Sequence, residues 1–198
     1  MAQASAFSVT QSGISTAVNT VAVVGSSVTI TLDNPLSSGD ISIVYTDPTA
    51  SNDANAIQDL AGNDVSDLSV TLDSGVVVDG YVRNADIYVD TNDNGTNDAG
   101  TDYSLGQSDA NGVYFVPQGI TGNLIITGGT NIDTGLPNTL TLKAPVDSVV
   151  VSPLTTLVID YMASYSVSSA DAKSTVMQAL GLDSNLDPMT YDPLAEVN

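Results

Sequence analysis

Two hydrophobic periods run along this chain and divide it. Through residues 6–74 apolar and polar side chains alternate with period two, in a background rich in Val, Ile, Thr and Ser. Val28-Thr29-Ile30-Thr31-Leu32 and Ile41-Ser42-Ile43-Val44-Tyr45 carry the pattern most clearly. On an extended backbone such alternation sends one set of side chains to a core and the other to solvent. Asp33-Asn34-Pro35 and Ser38-Gly39-Asp40 supply turn chemistry between strands. The block predicts an antiparallel β-sandwich with solvated outer faces.

A second β block covers residues 75–145. Its predicted strands are 76–78, 85–89, 113–116 and 124–126, and an aspartate-rich segment at 90–102 separates the second from the third. The block is long enough for a small sandwich of its own.

The period then changes. Ser152-Pro153 has the chemistry of a helix start, with Ser as N-cap and Pro at the first helical position. Leu154, Leu157, Val158, Tyr161 and Met162 follow at helical spacing and form one apolar stripe. A second helix is predicted from Ser168, with Asp171 three residues on as an imperfect capping box. Ala172, Val176, Ala179 and Leu180 are its predicted inward face, and Gly181 its C′ glycine. Asp187-Pro188 and Asp192-Pro193 predict an extended exit. The domain division is therefore 1–74, 75–148 and 149–198. The fold class is mainly β: two antiparallel β-sandwich modules with a short C-terminal α-hairpin lying over a β domain.

Apolar residues at 42% suffice for folded cores. A net charge of −20 on 3 basic residues excludes nucleic acid and anionic membranes as partners, since both require Lys/Arg patches. It favours divalent cations, because like charges at this density strain a compact state; solubility alone is the plainer reading. Of the 23 acidic residues only Glu196 is glutamate. Aspartate suits tight turns, where short carboxylates bond the local backbone and converge on one centre. Cysteine and histidine are absent. That removes disulfides, thiolate chemistry, the usual zinc sites and every His-based triad. No segment is apolar enough for a membrane helix. Met1-Ala2-Gln3-Ala4-Ser5 lacks the charged and apolar regions of an export signal, so either export depends on a signal elsewhere or, the favoured reading, this is a piece of something longer.

Candidate chemistry centres on Asp90-Thr91-Asn92-Asp93-Asn94-Gly95-Thr96-Asn97-Asp98. Counting from Asp90, side-chain oxygens fall at positions 1, 3, 5 and 9 (Asp90, Asn92, Asn94, Asp98), glycine at 6 (Gly95), and the Thr96 carbonyl at 7. This is the first part of an EF-hand-type Ca2+ loop, here on strands rather than helices. Position 12 is Thr101 instead of Glu, so Asp102, one residue on, is the candidate closing ligand, with Asp109 or Asn111 as alternatives. An Asn/Asp-rich turn without metal is the plain alternative. A second cluster, Asp47, Asp53, Asp59 and Asp64, has no fixed register, and ordinary side-chain-to-backbone turns account for it equally well; Ile57 and Leu60 are expected to pin that loop to a core.

Catalysis would rest on aspartates alone, and no pair stands out for glycoside hydrolysis. An isopeptide bond from Lys143 or Lys173 has little to support it. These features predict a calcium-dependent extracellular protein that is not an enzyme.

The residues also carry a resemblance. Val44-Tyr45-Thr46-Asp47-Pro48, Asn52–Asp59 and Ala61-Gly62-Asn63-Asp64 resemble the tandem β-sandwich repeats of giant bacterial surface proteins. These include the repeats of cyanobacterial swimming-motility and related RTX-type adhesins. The likeness covers about residues 6–74. That family has a further strand before the equivalent of Ala6-Phe7-Ser8-Val9-Thr10, which implies that the first module is partial here. Residues 76–145, through Asp79-Gly80-Tyr81-Val82, 85–90 and Asp109-Ala110-Asn111-Gly112-Val113-Tyr114, are similar to carboxypeptidase-regulatory or Cna-B-type prealbumin-like sandwiches. Such modules serve as stalks and often bind calcium in the loop matching 90–98. Residues 151–158 and the helix ending Ala179-Leu180-Gly181-Leu182 look like a helical extension that follows this module in the same proteins.

The resemblance implies a structural or adhesive segment of a secreted, repeat-built surface fibre, stiffened by Ca2+. Its partners would be calcium ions, neighbouring repeat domains, and a surface glycan or protein. The alternative is a carbohydrate- or protein-binding accessory module of a secreted enzyme, using Tyr81, Tyr88, Tyr103 or Tyr114; Tyr88 and Tyr114 are expected to face a core.

Overall fold

A computed structural model describes residues 3–49 and 51–195. The fold is mainly β, sandwich-like, with two C-terminal helices, and the chain divides into two compact units at residues 73/74.

In the first unit, β1 (Phe7–Gln11) turns back on β2 (Ile14–Thr16) and pairs on its other side with β5 (Ile41–Tyr45). The turn residues Ser12 and Gly13 both have positive φ, the backbone of a twisted two-residue hairpin. β6 (Leu68–Val77) adds to β5, so the order is β6-β5-β1-β2. A separate hairpin, β3 (Val18–Val24) and β4 (Ser27–Leu32), packs on β1 and the helical turn at Ala4–Ala6. The expected strands 28–32 and 41–45 both form. Their burial differs: Ile41 and Tyr45 are buried, whereas no residue of β4 is. The core of this unit is small, built around Val9, Ile41 and Tyr45, with the Phe7 ring 5.1 Å from that of Tyr45.

In the second unit, one sheet has the order β13-β11-β8-β9, from Leu142–Pro145, Asn123–Thr127, Asp86–Asp90 and Tyr103–Gln107. The second half of β6 pairs with β10 (Val113–Pro117) and with β14 (Val150–Val151). The β6–β14 pair is parallel, a departure from the wholly antiparallel expectation. A ribbon of β7 (Val82–Arg83) and β12 (Thr130–Asn131) completes the β part. Alternate residues of both sheets form one core, including Val77, Ile87, Val89, Leu124, Ile126, Leu142 and Val151. Each such side chain contributes roughly 1.5–3 kcal/mol on burial.

Helix α1 (Pro153–Tyr165) starts as the sequence indicates, from Ser152 with Pro153 following; Thr155 closes a capping box. The predicted stripe faces inward except at Leu157. Thr155, Val158 and Ile159 are buried, while Leu157 is 49% exposed. The reason is that α1 packs against β13 and β14 as well as against α2 (Ser169–Ala179). Leu154, Val158, Tyr161 and Met162 pack in the α1–α2 cluster with Ala172 and Val176. On α2 Ala172 and Val176 are buried as expected, but Ala179 and Leu180 are exposed and Met177 takes the inward position. Gly181, at φ 68°, ends the helix as predicted, and the Leu182 amide returns to the Met177 carbonyl.

The extended exit is not observed. Residues 183–195 form turns, and the Met189 carbonyl accepts from the Val149 and Val150 amides, both at 2.9 Å. The Asp187 carboxylate accepts from the Met189 amide at 3.0 Å and so shapes the turn that X-Pro alone suggested would be straight.

Candidate metal centre

Strand β8 ends at Asp90 and β9 resumes at Tyr103, so the candidate loop is an excursion between two hydrogen-bonded neighbours. Asp90 is 1% exposed. Its carboxylate accepts from the Asn94 amide at 3.3 Å and the Gly95 amide at 2.7 Å, drawing the loop around itself. Asp93 and Gly95 take positive φ (55° and 79°), the sharp turn expected at position 6.

The other predicted ligands interlock around this turn. Asn92 Oδ1 accepts from the Asn94 amide, and Asn94 Oδ1 from the amide and hydroxyl of Thr96. Both side-chain amides, of Asn92 and Asn94, donate to Asp98 Oδ2. Asp102 holds the other half of the loop: one oxygen accepts from the Thr91 amide at 3.0 Å, the other from the Asp98 amide at 2.7 Å. The Asp98 amide, then that of Thr91, lower the Asp102 pKa below the ordinary carboxylate value. Among the described residues no three acidic side chains converge at metal-holding spacing. The oxygen set at the turn is mixed: carboxylates of Asp90 and Asp98 with side-chain carbonyls of Asn92 and Asn94, hard donors of the type Ca2+ takes. The Thr96 carbonyl belongs to the same turn. Asp109 is occupied elsewhere, accepting from the Asn111 and Val113 amides, both at 2.8 Å, at the start of β10.

Three residues beside the loop have no signal in the linear pattern. Asn123, paired in register with Asp90 from β11, donates to Asp93 Oδ1 at 2.6 Å. Lys143 of β13 and Asp160 of α1 join Asp90, Asp93, Asn94 and Asn123 around a cavity of about 160 Å³. Only strand pairing and helix packing bring them there. Lys143 bonds Asp160 at 2.9 Å, and Lys173 bonds Asp187 at 2.9 Å. Both are partly exposed ion pairs, of the kind worth about 1 kcal/mol or less. At Asp187 burial raises the pKa, but the Lys173 ammonium and Met189 amide lower it further, and the net direction is down.

The second aspartate cluster consists of local turns. The Asp59 carboxylate accepts from Ala61 and Asn63, Asp53 from the Asn55 amide, and Asp64 from Gln58 and the Asp53 amide. Asp53 and Asp59 have lowered pKa values, chiefly through the Asn55 amide and the Asn63 side chain respectively. Ile57 does anchor this loop, packing by Tyr45 and donating its amide to the Tyr45 hydroxyl. Leu60 does not; it is fully exposed. Of the tyrosines, Tyr114 is in the core and its pKa is raised by burial. Tyr88 is half-buried and Tyr103 exposed. Tyr81 donates to Asp192 at 2.9 Å, and burial, then that bond, raise its pKa.

Compared with family models, with curated proteins and with solved structures, the chain gives no match.

Proposed function

We propose that this chain is a non-catalytic structural or adhesive segment of a secreted bacterial surface protein, stiffened by Ca2+ held in the 90–102 loop. One observation carries the reading. A carboxylate at the end of a core strand, Asp90, is nearly fully buried, and a turn of side-chain oxygens wraps around it. Burying an ionised carboxylate is costly unless hydrogen bonds and a cation compensate it. The amides of Asn94 and Gly95 supply part of that compensation, and a Ca2+ ion bound by Asp90, Asn92, Asn94, the Thr96 carbonyl and Asp98 supplies the rest. Asp102 acts in this reading by holding the Asp98 and Thr91 backbone, or as a ligand if it swings inward. Ion binding to the folded state alone raises stability by mass action. In a fibre of neighbouring repeat domains, the same binding keeps the module rigid.

The test is thermal melting in chelator and in millimolar Ca2+, with Mg2+ as control. A calcium-specific rise in Tm is expected. Asp98→Ala should abolish most of that rise with little change in chelator. Asp90→Ala should lower Tm in both conditions, because Asp90 also caps two amides. No calcium-dependent shift in the parent chain would leave the loop as a metal-free turn and overturn the proposal.

A further inference from the structure

The chain has 3 basic residues against 23 acidic ones, and one of the three, Lys143, stands beside the aspartate-rich loop. Strand pairing explains how it gets there. Asn123 lies opposite Asp90, and Ile125 lies opposite both Tyr88 and Lys143. By alternation these five side chains share one face of the sheet, the reverse of the face that carries Ile87, Val89, Leu124 and Ile126 into the core. Helix α1 covers the same face with Ile159, Asp160 and Ala163, and both Asp90 and Ile125 are buried there.

The Lys143 ammonium is held at the margin of the loop. It bonds Asp160 at 2.9 Å, yet it lines the same cavity of about 160 Å³ as Asp90, Asp93 and Asn94. A Cβ added at Gly95 would lie 3.7 Å from its Nζ, so the ammonium rests against the turn at loop position 6. A fixed positive charge at that place opposes a second cation in the loop and attracts the same carboxylates. Asp160 draws the ammonium toward α1 and away from them.

We propose that Lys143 is a built-in counter-ion that sets the calcium affinity of the 90–102 loop, and that Asp160 is the positioning residue that keeps its ammonium off the ligands. This role rests on the calcium reading of the loop. Removing the Lys143 charge therefore tightens calcium binding. Removing Asp160 frees the ammonium to compete for the loop carboxylates and weakens it.

The experiment is calorimetric titration of Ca2+ into the full chain and its Lys143→Met, Lys143→Arg, Asp160→Asn and Lys143→Met/Asp160→Asn variants, with Tm in chelator measured alongside. Lys143→Gln serves as a second neutral variant and should match Met. Lys143→Met should bind calcium about tenfold more tightly, the order that one neighbouring charge is worth. Its Tm in chelator should be no higher than the parent's. Lys143→Arg keeps the charge and should stay close to the parent. Asp160→Asn should weaken binding, but should have little effect once Lys143 is Met, because the ammonium it acts through is gone. An ion pair that only ties α1 to β13 would lower Tm on removal and leave calcium affinity unchanged or weaker. That result, in a parent chain that binds calcium, overturns the Lys143 role and leaves the calcium reading standing. An Asp160→Asn effect undiminished in the Met background overturns the role of Asp160. Calcium binding by neither the parent nor the neutral variants overturns both readings. Binding by the neutral variants alone supports the Lys143 role and removes calcium from the native chain.

Discussion

Asp102 shows what one carboxylate does in a turn. It accepts from the Thr91 and Asp98 amides, which span most of the loop, and its pKa is lowered from the ordinary 3.8. A group whose pKa is depressed on folding stabilises the fold above its unfolded value, and that contribution disappears as pH falls through the folded value. Asp53 and Asp59 act in the same direction. The acid limb of a Tm–pH profile, measured with chelator present, should therefore fall below pH 3.8. Asp102→Asn removes one titrating group and one acceptor oxygen, so its profile should start lower at neutral pH and converge on the parent in acid. Parallel profiles throughout would show that the Asp102 charge contributes nothing to the loop. The position of Asp102 in the sequence made it a candidate ligand. Which amides it bonds follows from the loop's return to β9, and spacing alone does not contain that.

At the scale of elements, the link between β13 and α1 tests how a sheet edge is closed. β13 lies at the end of its sheet, and its backbone would present unpaired groups to solvent. The first turn of α1 covers it. Lys143 N–H donates to the Thr156 hydroxyl at 2.9 Å, and the Thr155 hydroxyl donates to the Lys143 carbonyl at 2.7 Å. Thr155 also accepts from the Ser152 amide at 2.9 Å, which completes the helix cap. Thr155→Val keeps the shape but leaves buried backbone groups unsatisfied, at a cost of about 1–3 kcal/mol. Urea unfolding should show that loss with an unchanged m-value, and Thr155→Ser should recover most of it. A loss with Ser and little or none with Val would instead assign the effect to the methyl group's packing. The start of α1 was readable because Ser152-Pro153 is local chemistry. The burial of Thr155 and Ile159 beyond the predicted stripe was not, since Thr155 is buried by hydrogen bonding to a strand that no periodicity identified. Strands β9 and β13 escaped for the same reason: Tyr103–Gln107 and Leu142–Pro145 are short and only partly apolar, and their pairing partners define them.

Over the whole molecule, the two units differ in how much apolar surface each buries. Val9, Ile41 and Tyr45 lead the core of the first, whereas the second joins residues from seven strands in one cluster. The sequence signalled both as β, because alternation reports which residues prefer a sheet. It did not signal this imbalance, since Val21, Val23, Ile30 and Leu32 alternate well and yet are only half-buried in their two-stranded hairpin. A sheet face buries its side chains only when enough structure lies opposite. Stability follows the buried area, so calorimetry of the intact chain should resolve two transitions, the lower from residues 3–73. Ile41→Val and Ile126→Val each remove one buried methylene, at about 0.5–1.5 kcal/mol. Ile41→Val should move only the lower transition and Ile126→Val only the upper. A single transition displaced by either substitution would mean that the chain unfolds as one cooperative body.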